Sequence, residues 1–299
     1  MRSKALLVVV LLAARMMSAQ QGTSAAITTD PARNATAPAS MVQLSVPSHG
    51  EHLLGVFYLA AGAGPHPTAI VMHGFPGYEQ NLDIAQTLRR AGWNVMAVHY
   101  RGSWGVKGTF SFAHVLEDAD AEVDFLLDPA TQAKYHIDPA KIVLVGHSMG
   151  GFAVASATAH NPRVAAVVMI SAWNIAAPFA SLPASEEDAA VAKFVKGQTK
   201  NDLAPLAGCT AESLGHEVFQ GRVDLNFLSF TRALSSRPVT IITSDDGLAA
   251  ENDKLQAALE KAGDRQAKSL HMSTDHSYSD HRIALEQAIV EAIEPIRAR

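Results

Sequence analysis

The sequence predicts an α/β domain, and three observations carry that expectation. Lys141 to Gly151 reads K-I-V-L-V-G-H-S-M-G-G, an apolar run, then a Gly-Xaa-Ser-Xaa-Gly turn, then the small-residue helical pattern of Phe152, Ala153, Val154, Ala155 and Ala157. On both sides of it, short apolar runs of strand length alternate with helical spacings, the rhythm of a sheet covered by helices. With 299 residues, 48% hydrophobic and 18% charged, the chain can bury one large core and is no disordered or collagen-like polymer. The net charge of −5 with no basic block argues against nucleic acid as a partner.

Residues 1–19 stand apart. Arg2 and Lys4 precede the apolar run Ala5 to Ala14, and small residues Ser18 and Ala19 follow. This is the pattern of an export signal, too short to span a bilayer comfortably, with cleavage expected after Ala19. No stable membrane span is expected once it is removed, and the mature protein is expected in the periplasm or secreted. No cysteine lies near the segment, which argues against a lipoprotein anchor. Residues 20–40, rich in Ala, Thr, Ser, Pro and Asn, read as a flexible segment. The domain proper is then 41–299. Cys209, the only cysteine, reads as a small buried hydrophobe.

Taken in order, Val42 to Val46 and His52 to Leu59 flank Pro47-Ser48-His49-Gly50 and predict an antiparallel hairpin. Thr68 to Met72 is a buried strand. Leu82, Ala85 and Leu88 share one face of a helix over Asn81 to Ala91, which Gly92 closes. Asn94 to Tyr100 is a strand leading into Arg101-Gly102-Ser103-Trp104-Gly105, a loop expected to shape the site. Phe112 to Leu127 is a helix that Asp128-Pro129 is expected to end, and its acids Glu117, Asp118, Asp120, Glu122 and Asp124 read as a solvated face. Val164 to Ile170 is the strand after the Ser148 helix. Residues 172–236 then lose the strand–helix rhythm and read as an inserted helical cap, with Trp173 and Phe179 as candidate pocket walls. Val239 to Ile242, a helix over Ala249 to Ala262, the strand Ala267 to Met272 and a closing helix from about Asp280 to Ile296 complete the chain.

The chemistry concentrates at strand ends. In a strand–turn–helix context Gly146-His147-Ser148-Met149-Gly150 is a nucleophile elbow, which lifts the Ser148 hydroxyl out of the sheet and places helix N–H groups beside it. His73-Gly74-Phe75-Pro76-Gly77 follows a buried strand, where a ligand-facing loop belongs. The N–H groups of Phe75 and Met149 are candidate oxyanion donors, each worth about 3–4 kcal/mol of barrier reduction. A serine hydroxyl needs a base, and the base an orienting carboxylate. Asp245 and Asp246 follow one strand and His276 the next, in the order Ser–Asp–His. Asp246 sits deeper in its turn and is preferred over Asp245, and His276 is preferred over His281, which lies in the closing helix. His147 points away from a base's position and reads as structural. Ser103 lacks an elbow.

On Ser148 with its elbow, the 73–77 loop and the Asp/His pair, the chain resembles the α/β-hydrolase superfamily, and among its members bacterial esterases and serine peptidase-like hydrolases. The resemblance runs from about Val42 to the C-terminus. It implies an eight-stranded, mostly parallel sheet flanked by helices, with the cap entering after the sixth strand. There is no H-G-G-G run, and Ser148 stands where a dehalogenase carries Asp. The expected reaction is acyl transfer from esters or small amides, without metal or organic cofactor, the partner being a small-molecule substrate. Oligomeric state is left open. Two rival readings remain: an aminopeptidase or acyl-peptide hydrolase with Glu186, Glu187 or Asp188 anchoring a substrate terminus, and a non-catalytic binding protein built on the same fold.

Overall fold

The computed structural model describes residues 23–299, and the expected export segment lies outside them. Eight strands form one sheet in the order β1-β2-β4-β3-β5-β6-β7-β8. β1 (Ser40–Ser48) and β2 (Glu51–Leu59) make the antiparallel hairpin, and β2 pairs antiparallel with β4 (Asn94–Val98). β3 (His66–Met72), β5 (Ile137–His147), β6 (Val164–Ile170), β7 (Val239–Ser244) and β8 (Lys268–Met272) extend the sheet in parallel.

Helices cover both faces, which is why the central strands are unbroken apolar runs rather than alternating ones. Ile142 and Leu144 of β5 face one core, shared with helix Phe112–Leu127 and helix Met149–His160. Val143 and Val145 face the other, shared with helix Leu82–Arg90 and the closing helix Arg282–Arg297. The chain leaves β3 toward β4 on one side and returns to β5 on the other. The strand order thus reverses between β3 and β5, and the crevice outside their carboxyl ends is where an open α/β sheet binds ligands. The 73–77 loop and Ser148 leave the sheet there.

Residues 172–236 contribute no strand to the sheet. They hold helices Glu187–Gly197, Lys200–Leu203, Ala211–Gln220 and Thr231–Leu234 with short 3-10 turns between them. Helix Glu187–Gly197 packs on helix Ala211–Gln220, and Gly215 lets Val191 and Phe194 approach closely. The insertion is fastened to the sheet layer at several points. Trp104 N–H donates to Pro205 O at 2.8 Å, Ala207 N–H to Gly102 O at 2.8 Å and Phe110 N–H to Ala207 O at 2.9 Å. The Asn174 amide donates to Asn226 Oδ1 at 3.1 Å and to Glu251 at 3.3 Å, while its oxygen accepts from Phe227 N–H at 3.0 Å. Glu217 accepts the N–H groups of Phe112 and Ala113 at 3.0 and 2.7 Å. With Ser111 capping His114 N–H, the first N–H groups of that helix, which have no partner within it, are all satisfied.

Three expectations need correction. The acidic stripe is not wholly solvated: Asp118 and Glu122 are buried on its inner side. Asp118 accepts from Ser48 Oγ and Arg101 Nε, both at 2.6 Å, and from Arg101 N–H at 2.8 Å. Glu122 is kept toward its neutral form by burial, with the nearby Asp118 charge adding to the rise in its pKa. Second, part of the segment expected to be flexible, residues 24–28, packs against the domain. Ser24 caps helix Ala25–Thr28, its N–H donates to Gln287 at 2.8 Å, and Arg90 Nε donates to Ala26 O at 2.5 Å. Third, Pro129 does not merely end a helix. It starts another, Pro129–Tyr135, with Asp128 as its N-cap.

Glu217→Ala should lower the unfolding free energy by about 1–2 kcal/mol, since it removes two charge-assisted bonds at a helix start. Urea unfolding checks this, with exposed Glu212→Ala as the control, expected to change stability by about 0.5 kcal/mol or less.

Candidate active site

Ser148 occupies a backbone conformation that side-chain-bearing residues rarely adopt, φ 58° and ψ −118°. Its surroundings explain how. A Cβ on Gly146 would lie 2.1 Å from Gly150 O, one on Gly150 2.2 Å from Met72 O, and one on Gly74 2.9 Å from Ser148 Cβ. Glycine at these positions lets the turn fold tightly and lets the 73–77 loop lie against the serine. Ser148 N–H continues the sheet by donating to Ile170 O at 2.9 Å, and Ser148 O accepts from the Gly151 and Trp173 N–H groups, each at 2.9 Å. Among the described residues, the Ser148 hydroxyl itself makes no hydrogen bond to protein.

Phe75 follows Gly74, which lies against Ser148, and Met149 follows Ser148 directly. Among the described residues, neither backbone N–H donates to a protein acceptor. Behind the loop, His73 is buried and donates from Nδ1 to Gly74 O at 2.8 Å, which leaves its Nε2 to accept from His99 Nδ1 at 3.2 Å. Burial pushes the His73 imidazole down to about 4, so it stays neutral in this role. Trp104 Nε1 donates to Pro76 O at 2.7 Å and its ring stacks on His99. The 101–105 loop therefore braces the 73–77 loop. Ser103 spends its hydroxyl on Tyr100 O at 2.8 Å. Of the two candidate walls, Trp173 is partly exposed, beside Phe75 and Phe112, whereas Phe179 is buried against Phe219 within the insertion.

The turns after β7 and β8 meet at the same edge. His276 Nδ1 donates to Asp246 Oδ2 at 2.7 Å. Asp246 has a side chain only 4% exposed, while that of Asp245 is 60% exposed and pairs with His271 at 3.0 Å. The two acids thus point to different histidines. Burial works to raise the Asp246 pKa. Hydrogen bonds from His276, Leu248 N–H and the Ser171 and Ser244 hydroxyls outweigh it and hold the carboxyl well below the usual carboxylate range. Ser171, Ser244 and Tyr278 form a buried hydroxyl cluster beneath the acid, with Ser171 Oγ 3.0 Å from Ser244 Oγ and 2.9 Å from Tyr278 OH. His281 pairs with Asp280 at 2.9 Å. The structure brings His276 and Asp246 into contact, but no hydrogen bond joins His276 to Ser148 Oγ among the described residues. In unliganded enzymes such bonds are often long and tighten when substrate is bound.

Sequence reasoning missed the supporting polar groups. Ser171 follows β6 and Ser244 ends β7 at the functional edge, and Tyr278 lies two residues past His276. Polar residues at strand ends facing one edge were the available signal. Cys209 is partly buried, and burial raises its thiol pKa. No helix among the described residues is long and apolar enough to cross a membrane.

A model of the alpha/beta hydrolase family matches residues 69–287. No curated protein sequence matches the chain. Among solved structures, DcsB in complex with a substrate analogue is 20% identical, with a TM-score of 0.65 over 87% of this chain and all of its own. Est1E from Butyrivibrio proteoclasticus with ferulic acid bound is 17% identical, with a TM-score of 0.64 over 86% of this chain and all of its own. An esterase from Pyrococcus furiosus is 14% identical, with a TM-score of 0.61 over 89% of this chain and 97% of its own. At these identities the likeness is one of fold.

A carboxyl whose folded pKa is depressed stabilises the fold above its unfolded value and loses that contribution as pH falls through the folded one. The wild-type protein should therefore lose stability progressively as pH drops below about 4. Asp246→Asn should be less stable near neutrality yet flatter across that acid range. Melting temperatures from pH 7 down to pH 3 read the difference, and parallel curves would contradict the assigned hydrogen bonding.

Proposed function

The chain belongs to the alpha/beta hydrolase family, and on that premise we propose that it is a serine hydrolase cleaving carboxylic esters, or small amides, through an acyl-enzyme. The observation that carries the reading is the Asp246–His276 pair at 2.7 Å on the sheet edge that also holds the strained Ser148 elbow. In this mechanism Ser148 Oγ attacks the carbonyl carbon and its proton passes to His276 Nε2. Asp246 keeps the Nδ1 proton in place, which leaves Nε2 free to accept, and it stabilises the imidazolium as it forms. Phe75 and Met149 N–H groups stabilise the oxyanion, and their freedom from protein acceptors supports that role. His276 then protonates the leaving alcohol or amine. Water activated by the same histidine hydrolyses the acyl-enzyme and restores Ser148.

Esters are preferred over peptides because esterases are among the structural relatives. Of the three acids considered as anchors for a peptide terminus, Glu187 is occupied within the insertion, accepting from His216 at 2.8 Å and Gln220 at 2.9 Å, which narrows a peptidase reading to the exposed Glu186 and Asp188.

A fluorophosphonate probe should label the wild-type protein at Ser148. Ser148→Ala should abolish labelling, and His276→Ala should slow it at least about a hundredfold, with ester turnover falling alongside. His281→Ala should leave both nearly unchanged. A folded wild-type protein that resists the probe would overturn the reading and leave a binding role for the fold. Faster turnover of aminoacyl naphthylamides than of short p-nitrophenyl esters would replace the esterase by a peptidase.

A further inference from the structure

We propose that His147 is a positioning residue that holds the catalytic base in register with the nucleophile, an inference that rests on the roles given above to Ser148 and His276. His147 is the last residue of β5 and the neighbour of Ser148. Its Nε2–H donates to the backbone oxygen of His276 at 2.8 Å, across 129 residues of chain. Its ring lies against the His276 ring, centroids 4.6 Å apart and planes inclined by 35°, and meets Tyr278 edge-on at 6.4 Å.

The chemistry of this histidine suits a strut and not a base. The side chain is buried, and among the described residues Nδ1 has no hydrogen-bond partner. A protonated ring would place an unpaired N–H and a charge in that enclosure, and burial accordingly pushes the imidazole down to about 3. His147 is thus a fixed neutral donor. It neither competes for the serine proton nor carries a charge against the imidazolium that forms on His276.

The loop that carries His276 is fastened elsewhere as well. Arg282 donates to Ser277 O at 3.1 Å while pairing with Asp83, and Tyr278 OH meets Ser171. Those ties fix the residues after His276. Asp246 orients its ring. The bond from His147 fixes the His276 backbone itself, and from the nucleophile's own strand. Loss of that donor should let the imidazole drift from Ser148, and a misplacement of about 1 Å is enough to cost a hundredfold in rate.

Two variants separate the hydrogen bond from the packing. His147→Phe keeps a ring against His276 and removes the donor. His147→Gln removes the ring and returns an N–H near the position of Nε2. For His147→Phe, kcat and the fluorophosphonate-labelling rate should fall at least about tenfold with KM within about threefold, and His147→Gln should recover to within about threefold of wild type. Wild-type rates in His147→Phe would overturn the proposal, as would a His147→Gln protein that melts like wild type but is as slow as His147→Phe. Nitrogen-15 NMR of the wild-type imidazoles tests the bond without any variant. The proposal requires a neutral Nε2–H form of His147 from pH 5 to 8, and an Nδ1–H form or a titration in that range would sink it. A wild-type protein that keeps this tautomer but resists the probe would count against the catalytic reading and leave the strut standing.

Discussion

The functional edge of this protein depends on a steric constraint at one turn. Ser148 holds φ 58° and ψ −118°, a conformation that costs on the order of 1–3 kcal/mol and persists only where the surroundings over-determine it. Gly146, Gly150 and Gly74 supply the room, and a methyl group on either of the first two would collide with main-chain oxygen. Those glycines are on different elements. The turn therefore exists only after β3 and β5 are paired, and pairing them also brings the 73–77 loop against the serine. One packing requirement thus fixes Ser148 and the loop over it.

Polar groups buried behind the reacting residues do the rest. His73, His99 and Trp104 stand behind the 73–77 loop, and Ser171, Ser244 and Tyr278 beneath Asp246. In a low-dielectric setting such bonds hold their geometry strongly, and an unmet one is costly. Neutral histidines suit this setting because one ring nitrogen donates while the other accepts or is left in an apolar place. His73 and His147 are both pushed by burial toward the neutral form, for the same physical reason.

Much of this was legible in the chain. The central strands announced themselves because burial on both faces demands unbroken apolar runs such as Ile142 to Val145. The elbow was legible because its glycines are a steric necessity. Local pattern favoured Asp246 over Asp245 by its depth in the turn but could not show what either acid meets, since both follow β7 within one turn. Tertiary placement divides them, Asp245 lying exposed beside His271 and Asp246 burying its side chain against His276. The docking of Ser24 and Gln287 was invisible because it joins residues 263 apart in sequence. The polar supports were missed for a related reason: a serine at a strand end looks the same whether it meets water or a buried carboxylate.

The helix Phe112–Leu127 offers a lesson about surface redesign. A chemist wishing to shift the protein's isoelectric point from sequence alone would treat its five acids as interchangeable. Glu117, Asp120 and Asp124 are partly or fully open to solvent, and exchanging Asp120 or Asp124 for lysine would mainly alter the external field. Asp118 is of another kind. It neutralises Arg101, whose side chain is 7% exposed, and Arg101 begins the loop that carries Trp104 to Pro76. Breaking a buried pair by removing one partner costs about 3–5 kcal/mol. A substitution made for solubility at Asp118 would therefore unsettle the footing of the 73–77 loop, and its effect would be read first at the Ser148 edge.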